Sequence, residues 1–269
     1  MGSSQTKPLT PGRKWADVPF QLLETPRKKA RTAGDMKTAK EETGAFAAAS
    51  EMVLIHNMII RGLNSIYVQA PNIKEPKDVQ DFFTYMYSWA LLVHMHHHNE
   101  EEVIFPLLEK AIGVDGYMEK NVDQHKLFGP GLTAFDDYVK AGKAGEIQFD
   151  GVKVQTIIDS FASIFIEHLK EEIPTFLALD KYENKIDWPA YNAAVLEKAV
   201  KKGDTEFEIP FAIVNQDMTF EGGIHAGTFP DIPLIPMLLF KHWFIPKHLE
   251  AWRFAPCTRH GIPQDLPFA

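Results

Sequence analysis

Two His-x-x-x-Glu pairs, His96 with Glu100 and His168 with Glu172, are the residues best suited to chemistry. On a helix, positions four apart share a face, and the buried face repeats an apolar residue every three or four positions. One such stripe runs Phe82, Met86, Trp89, Val93, His96, Glu100, Val103, Leu107, and another runs Phe161, Phe165, His168, Glu172, Leu179. Two more stripes carry a single histidine each: Met52, His56, Ile59, Leu63, Ile66, and Met118, Val122, His125, Gly129, Leu132, Val139. An ionised carboxylate facing a hydrocarbon core is strongly unfavourable unless it is paired or bound to a metal. Imidazole nitrogen and carboxylate oxygen without thiolate suit iron or manganese, with zinc possible. His56 precedes His96 by 40 residues and His125 precedes His168 by 43, so each half of the chain repeats a lone histidine followed by a His-Glu pair. That repetition predicts a pseudo-twofold site holding one or two metals, two being about 3.5–4 Å apart and bridged by Glu100 and Glu172.

The same periodicity places His97, His98, Glu101 and Glu102 off the stripe, as a solvated face with some members orienting a ligand. Phe82, Trp89, Phe128, Phe161 and Phe165 read as core, and His225, His242 and His248 as structural histidines. Cys257, in the run Pro256 to His260, has no neighbouring base to mark it as a nucleophile.

Four helices must carry these stripes. The first spans Lys40 to Val68, before Pro71, and the second opens at Pro76 and stops at Gly113. The third runs from Asp115 to Lys140, ahead of Gly142 and Gly145, and the fourth from Gly151 to Leu179, with a kink expected at Pro174. Short connections predict an all-α, up-down-up-down four-helix bundle with extra C-terminal helices and a strap. Residues 1–38 read as an N-terminal arm with Pro8, Pro11, Pro19 and Pro26 and a basic cluster from Arg27 to Arg31, a solvated tail or import signal. Residues 39–182 form the bundle, and 183–269 an extension with a short helix at 189–201 and another near Pro233 to Phe240. Proline-broken and rich in Phe and Trp, the extension is expected to pack on the bundle, with residues near Phe229 to Phe254 enclosing an organic-substrate pocket. A membrane-surface or partner-docking role is the alternative for it.

Composition narrows the classes further. Apolar residues are 45% and charged residues 24%, ordinary for a globular protein, and a net charge of −8 gives no general reason to bind nucleic acid or anionic membrane. Apolar runs such as Leu234 to Phe240 are far too short to span a bilayer. With one cysteine and no secretory signal pattern, a cytoplasmic, reducing location is expected.

The segment HHHNEEEVIFP from His96 to Pro106, with His125 and with HLKEE from His168, resembles the hemerythrin-like (HHE cation-binding) family over roughly residues 45–180. The likeness is closer to its iron-repair and oxygen-sensing branch than to its oxygen carriers. It implies a hemerythrin-like bundle with His56, His96, Glu100, His125, His168 and Glu172 as ligands of non-haem iron. Oxygen carriers of the family have a second histidine one turn beyond the one on the third helix, and here that position is Gly129. The missing ligand leaves open coordination, which favours chemistry or sensing over protected oxygen binding. The start of the chain, Trp15 to Phe20, resembles extended fungal-type members encoded beside secondary-metabolism enzymes. The implied function is activation of dioxygen or peroxide to oxidise a small, secondary-metabolite-like molecule. One alternative is a protein binding or sensing dioxygen, nitric oxide or iron without turnover. The other is a metal-independent cyclase or isomerase that uses the bundle cavity as a shaped pocket.

Overall fold

The computed structural model describes residues 12, 14–34, 42, 44–226, 229 and 232–269; Pro8, Pro11 and Lys40 lie outside them. Among the described residues every extended element is helical, joined by turns and one isolated two-residue bridge, Cys257 with Pro263. A short helix, α1 (Pro26–Thr32), is followed by the first bundle helix, α2 (Gly44–Gln69). The second bundle helix is continuous but changes pitch: α3 (Pro76–Asn99), a π-helical turn (Glu100–Ile104) and α4 (Phe105–Ile112). Gly113, at φ 72°, caps it in the left-handed conformation that glycine adopts without penalty. The third bundle helix is α5 (Glu119–Lys143). The fourth is split into α6 (Gly151–Asp159) and α7 (Ala162–Leu177). Helix α2 packs against α3 and α7, and α5 packs against the same two helices. The result is the all-α, up-down-up-down bundle expected from the sequence.

The split in the fourth helix falls at Ser160 and Phe161, not at Pro174. A Cβ on Gly131 would sit 2.4 Å from the Phe161 Cβ, so α5 and Phe161 approach each other there as only a glycine allows. Helix α7 runs through Pro174 to Leu177; that proline faces solvent, where water can serve the carbonyl it leaves unbonded.

Helix α2 is buried on almost every side, because the arm and the extension cover the face that the bundle does not. That face is polar, and it binds backbone. The Asn57 side chain accepts from Leu23 N and donates to Leu23 O, while Asn64 accepts from Phe20 N and donates to the Ala16 and Phe20 carbonyls. Further along, Ser65 and Gln69 donate to the Phe254 carbonyl. The basic cluster is therefore no solvated tail: it forms α1, and Arg27 is buried with Glu42 at 2.6 Å and His225 Nδ1 at 2.7 Å.

Beyond α8 (Trp188–Lys202) the extension enters the core. Phe211 of α9 (Glu208–Asn215), Trp252 and Phe254 join Phe82, Tyr85 and Trp89 in one apolar cluster. Phe211 reaches the bundle over Gly62, where a Cβ would stand 2.6 Å from its ring. Leu234, Ile235, Leu239 and Trp243 instead face solvent. Among the described residues, two cavities bordered by parts of Phe229 to Phe254 are lined by residues 213–264 and not by the bundle helices. A groove of about 840 Å³ lies between the arm at Pro19 to Lys29 and the outer face of α7.

Candidate metal centre

Seven side chains converge at the middle of the bundle: His56 from α2, His96 and His97 from α3, Glu100 from the π turn, His125 from α5, and His168 and Glu172 from α7. They form a polar layer between two apolar clusters. Ile59, Trp89, Val93, Phe128 and Phe165 lie on one side, and Met52, Ile104, Phe105, Ile173 and Phe176 on the other.

The π turn sets the phase of the second helix. Pro106 has no N–H for the Glu102 carbonyl, and the Phe105 N–H reaches back five residues to the Glu100 carbonyl. One extra residue enters that turn. The buried stripe consequently passes from Glu100 to Ile104 and Leu108, while Val103 is half-buried and Leu107 is exposed.

Six of the seven are the residues selected by periodicity, and they fall into two groups that share Glu100. In the first, His56 Nε2 stands 3.1 Å from His96 Nε2 and 3.2 Å from a Glu172 oxygen, while His96 Nε2 is 2.9 Å from Glu100 Oε1. In the second, His125 Nε2 is 3.1 Å from His168 Nε2 and 3.5 Å from Glu100 Oε2. The two oxygens of Glu100 thus face different histidine pairs. Glu172 belongs only to the first group.

Outer contacts aim the rings. His56 Nδ1 donates to the Leu169 carbonyl at 2.8 Å, and His125 Nδ1 to Glu101 at 2.6 Å. His168 Nδ1 donates to Gln124 Oε1 at 3.1 Å, and the Gln124 amide nitrogen, 2.7 Å from Glu171, fixes which way that side chain points. Burial and the neighbouring imidazoles push His168 down to about 2, and burial lowers His125, so both rings are neutral. With both Nδ1 atoms donating outward, the His125 and His168 Nε2 lone pairs face each other 3.1 Å apart. Two nitrogens bound about 2.1 Å from one ion at a right angle would be spaced this way. The carboxylates make the same case. All four oxygens of Glu100 and Glu172 are buried without a hydrogen-bond partner. Burial, then the charge of Glu172, raises Glu100 well above the usual carboxylate range, and burial holds Glu172 at about 7. This donor set fits a hard or borderline divalent cation.

Three contributors had no strong signal in the sequence. His97, expected on the solvated side, is buried, with its Nε2 unpartnered. Glu101 and Gln124 act through the histidines they hold, and a hydrogen-bonding side chain next in sequence to a helical ligand is too common a pattern to select them. Tyr191 of α8 also approaches: burial, then the negative charges of Glu51, Glu172 and Glu100, raises its phenol. His98 and Glu102 are exposed as expected, and Gly129 leaves open space where a side chain would begin.

Residues 47–179 match the hemerythrin HHE cation binding domain. Along nearly its whole length the chain is similar to the Dimeric xanthone biosynthesis cluster protein R11 of Cryptosporiopsis sp. (strain 8999). The two are 31% identical over 255 residues, which covers 94% of this chain and 93% of that one. No solved structure matches the chain significantly. The facing imidazoles, the shared carboxylate and the matched region agree: the chain belongs to the hemerythrin HHE cation-binding family.

Proposed function

We propose that this protein is a non-haem iron oxidoreductase of secondary metabolism, acting on a small organic molecule with dioxygen or peroxide, with His56, His96, Glu100, His125, His168 and Glu172 as metal ligands. The observation that carries the metal reading is the pair of neutral, outward-anchored imidazoles, His125 and His168, whose bare nitrogens face each other beside a carboxylate with no hydrogen-bond donor. The biosynthetic reading is supported by similarity to a biosynthesis cluster protein that extends through the arm and the extension.

Bound iron would supply electron transfer and a coordination position for oxygen. The chain's own residues do the rest. Glu100 and Glu172 balance the cation's charge, and Leu169, Glu101 and Gln124 keep the imidazole nitrogens directed inward. The two apolar clusters exclude water above and below the layer. His56, Glu100, His168 and Glu172 are fully buried, whereas His96, His97 and His125 are each 8% exposed, so small molecules approach from the side of α3 and α5. A second reading, binding of dioxygen, nitric oxide or iron without turnover, is favoured by one feature: the 840 Å³ groove lies on the outer face of α7, not at that opening.

Anaerobic reconstitution with ferrous iron, followed by metal analysis and ultraviolet–visible spectra before and after air, tests the centre. His96→Ala and Glu100→Ala are expected to remove most of the bound iron, and His98→Ala, an exposed neighbour, to leave it unchanged. Equal loss in all three would overturn the ligand assignment. Product formation from a xanthone-type substrate, in wild type but not in Glu100→Ala, separates the enzyme from the binding protein.

A further inference from the structure

We propose that His97 is a metal ligand, completing a second ion position with His125, His168 and one oxygen of Glu100. The inference rests on the metal-centre reading above and goes beyond it, because six ligands leave the two positions unequal. The first has His56, His96 and Glu172 with one Glu100 oxygen; the second, without His97, has only His125 and His168 with the other.

Three observations place His97 there. Its ligating nitrogen lies with those of His125 and His168 and with Glu100 in a set whose atoms are all within 4.8 Å of one another. Its ring packs 4.4 Å from that of His125 and 5.5 Å from that of His168, centre to centre. Its Nε2 is buried with no hydrogen-bond partner, an unfavourable position for a polar group with no other role.

Helix geometry explains how adjacent residues can both face inward. Successive side chains on a helix diverge by about 100°. Helix α3 lies between α2 and α5, so His96 is directed to His56 of α2 and His97 to His125 of α5. His98, a further step round, is exposed. On α5 itself, the position one turn beyond His125 is Gly129, which has no side chain to offer. A Cβ built there meets nothing within 4 Å, so the backbone leaves room for a donor that the sequence does not provide. The donor comes from α3 instead.

The full-length chain, reconstituted anaerobically with ferrous iron, is compared by metal analysis and by X-ray absorption for the number of nitrogen neighbours. Wild type should hold about two ions, and His97→Ala and His97→Gln about one, in the two-metal arrangement. The double change His97→Ala with Gly129→His should restore the second ion, because position 129 is one turn from His125 and open. Should His97→Ala fail to fold, His97→Gln, which keeps the bulk and a polar group, decides in the same way. Wild-type iron retained in full by the folded His97 variant, with an unchanged nitrogen count, would overturn the assignment and leave the six-ligand centre standing. Wild type that binds no iron would instead sink the centre itself.

Discussion

Glu172 shows what a candidate metal site costs a metal-free protein. Its two oxygens are buried without a donor, and burial lifts its carboxyl to about 7. Such a group opposes folding until a cation meets it. Glu172→Leu, close in size and apolar, is therefore expected to stabilise the metal-free protein by about 1–3 kcal/mol while weakening iron binding. Chemical denaturation of metal-free wild type and variant, beside their iron contents, checks both signs. A variant less stable than wild type without metal would mean that Glu172 has a structural partner. Wild type loaded with iron should in turn gain about 2.7 kcal/mol at a free-ion concentration a hundredfold above the dissociation constant.

Among the elements, α9 is the one whose hold on the bundle should depend on pH. Glu208 opens that helix, accepts from the Asp204 N–H at 2.9 Å, and is buried enough to lift its carboxyl to about 7. Its folded pKa is raised above the unfolded value, so its contribution is most favourable below about 4.5 and is lost as pH rises through 7. Glu208→Gln keeps an acceptor for Asp204 N but carries no charge. The variant should melt at a higher temperature than wild type at pH 8, with the difference shrinking at pH 5. Thermal melts at the two pH values measure it, and a difference independent of pH would show that ionisation of Glu208 is not what strains α9.

For the molecule as a whole, the extension behaves as part of the bundle's core. Phe211, Trp252 and Phe254 lie in one cluster with Trp89, and the Phe254 carbonyl accepts hydrogen bonds from two α2 side chains. A chain ending near Lys202 would bare the apolar and polar faces of α2 and α3 that these residues cover. It is expected to be poorly soluble, or to melt well below the full chain, because burying each large apolar side chain is worth about 1.5–3 kcal/mol. Expression and melting of the truncated and full chains, both loaded with iron, test this; a truncation as stable as the full chain would show the extension to be dispensable for folding.

Periodicity alone was enough to find the bundle and six of the seven converging side chains. A His or Glu on an apolar stripe is a local anomaly, and residues four apart share a face in any α-helix. That logic fails where the helix stops being regular. The π turn at Glu100–Ile104 adds a residue, so Ile104 and Leu108, not Val103 and Leu107, face the core. His97 was hidden for a related reason. A stripe assumes one buried face, whereas α3 has partners on two sides, and only the placement of α5 decides that the second face is also interior. How the arm and extension dock was unreadable on the same grounds: their contacts include polar side chains of α2 meeting backbone atoms 34 to 189 residues away, a pairing that no local pattern encodes. The sequence by itself determined six residues that could bind a metal and the helices on which they lie. The tertiary structure decided how those helices are phased against each other, because only packing brings together atoms from distant helices.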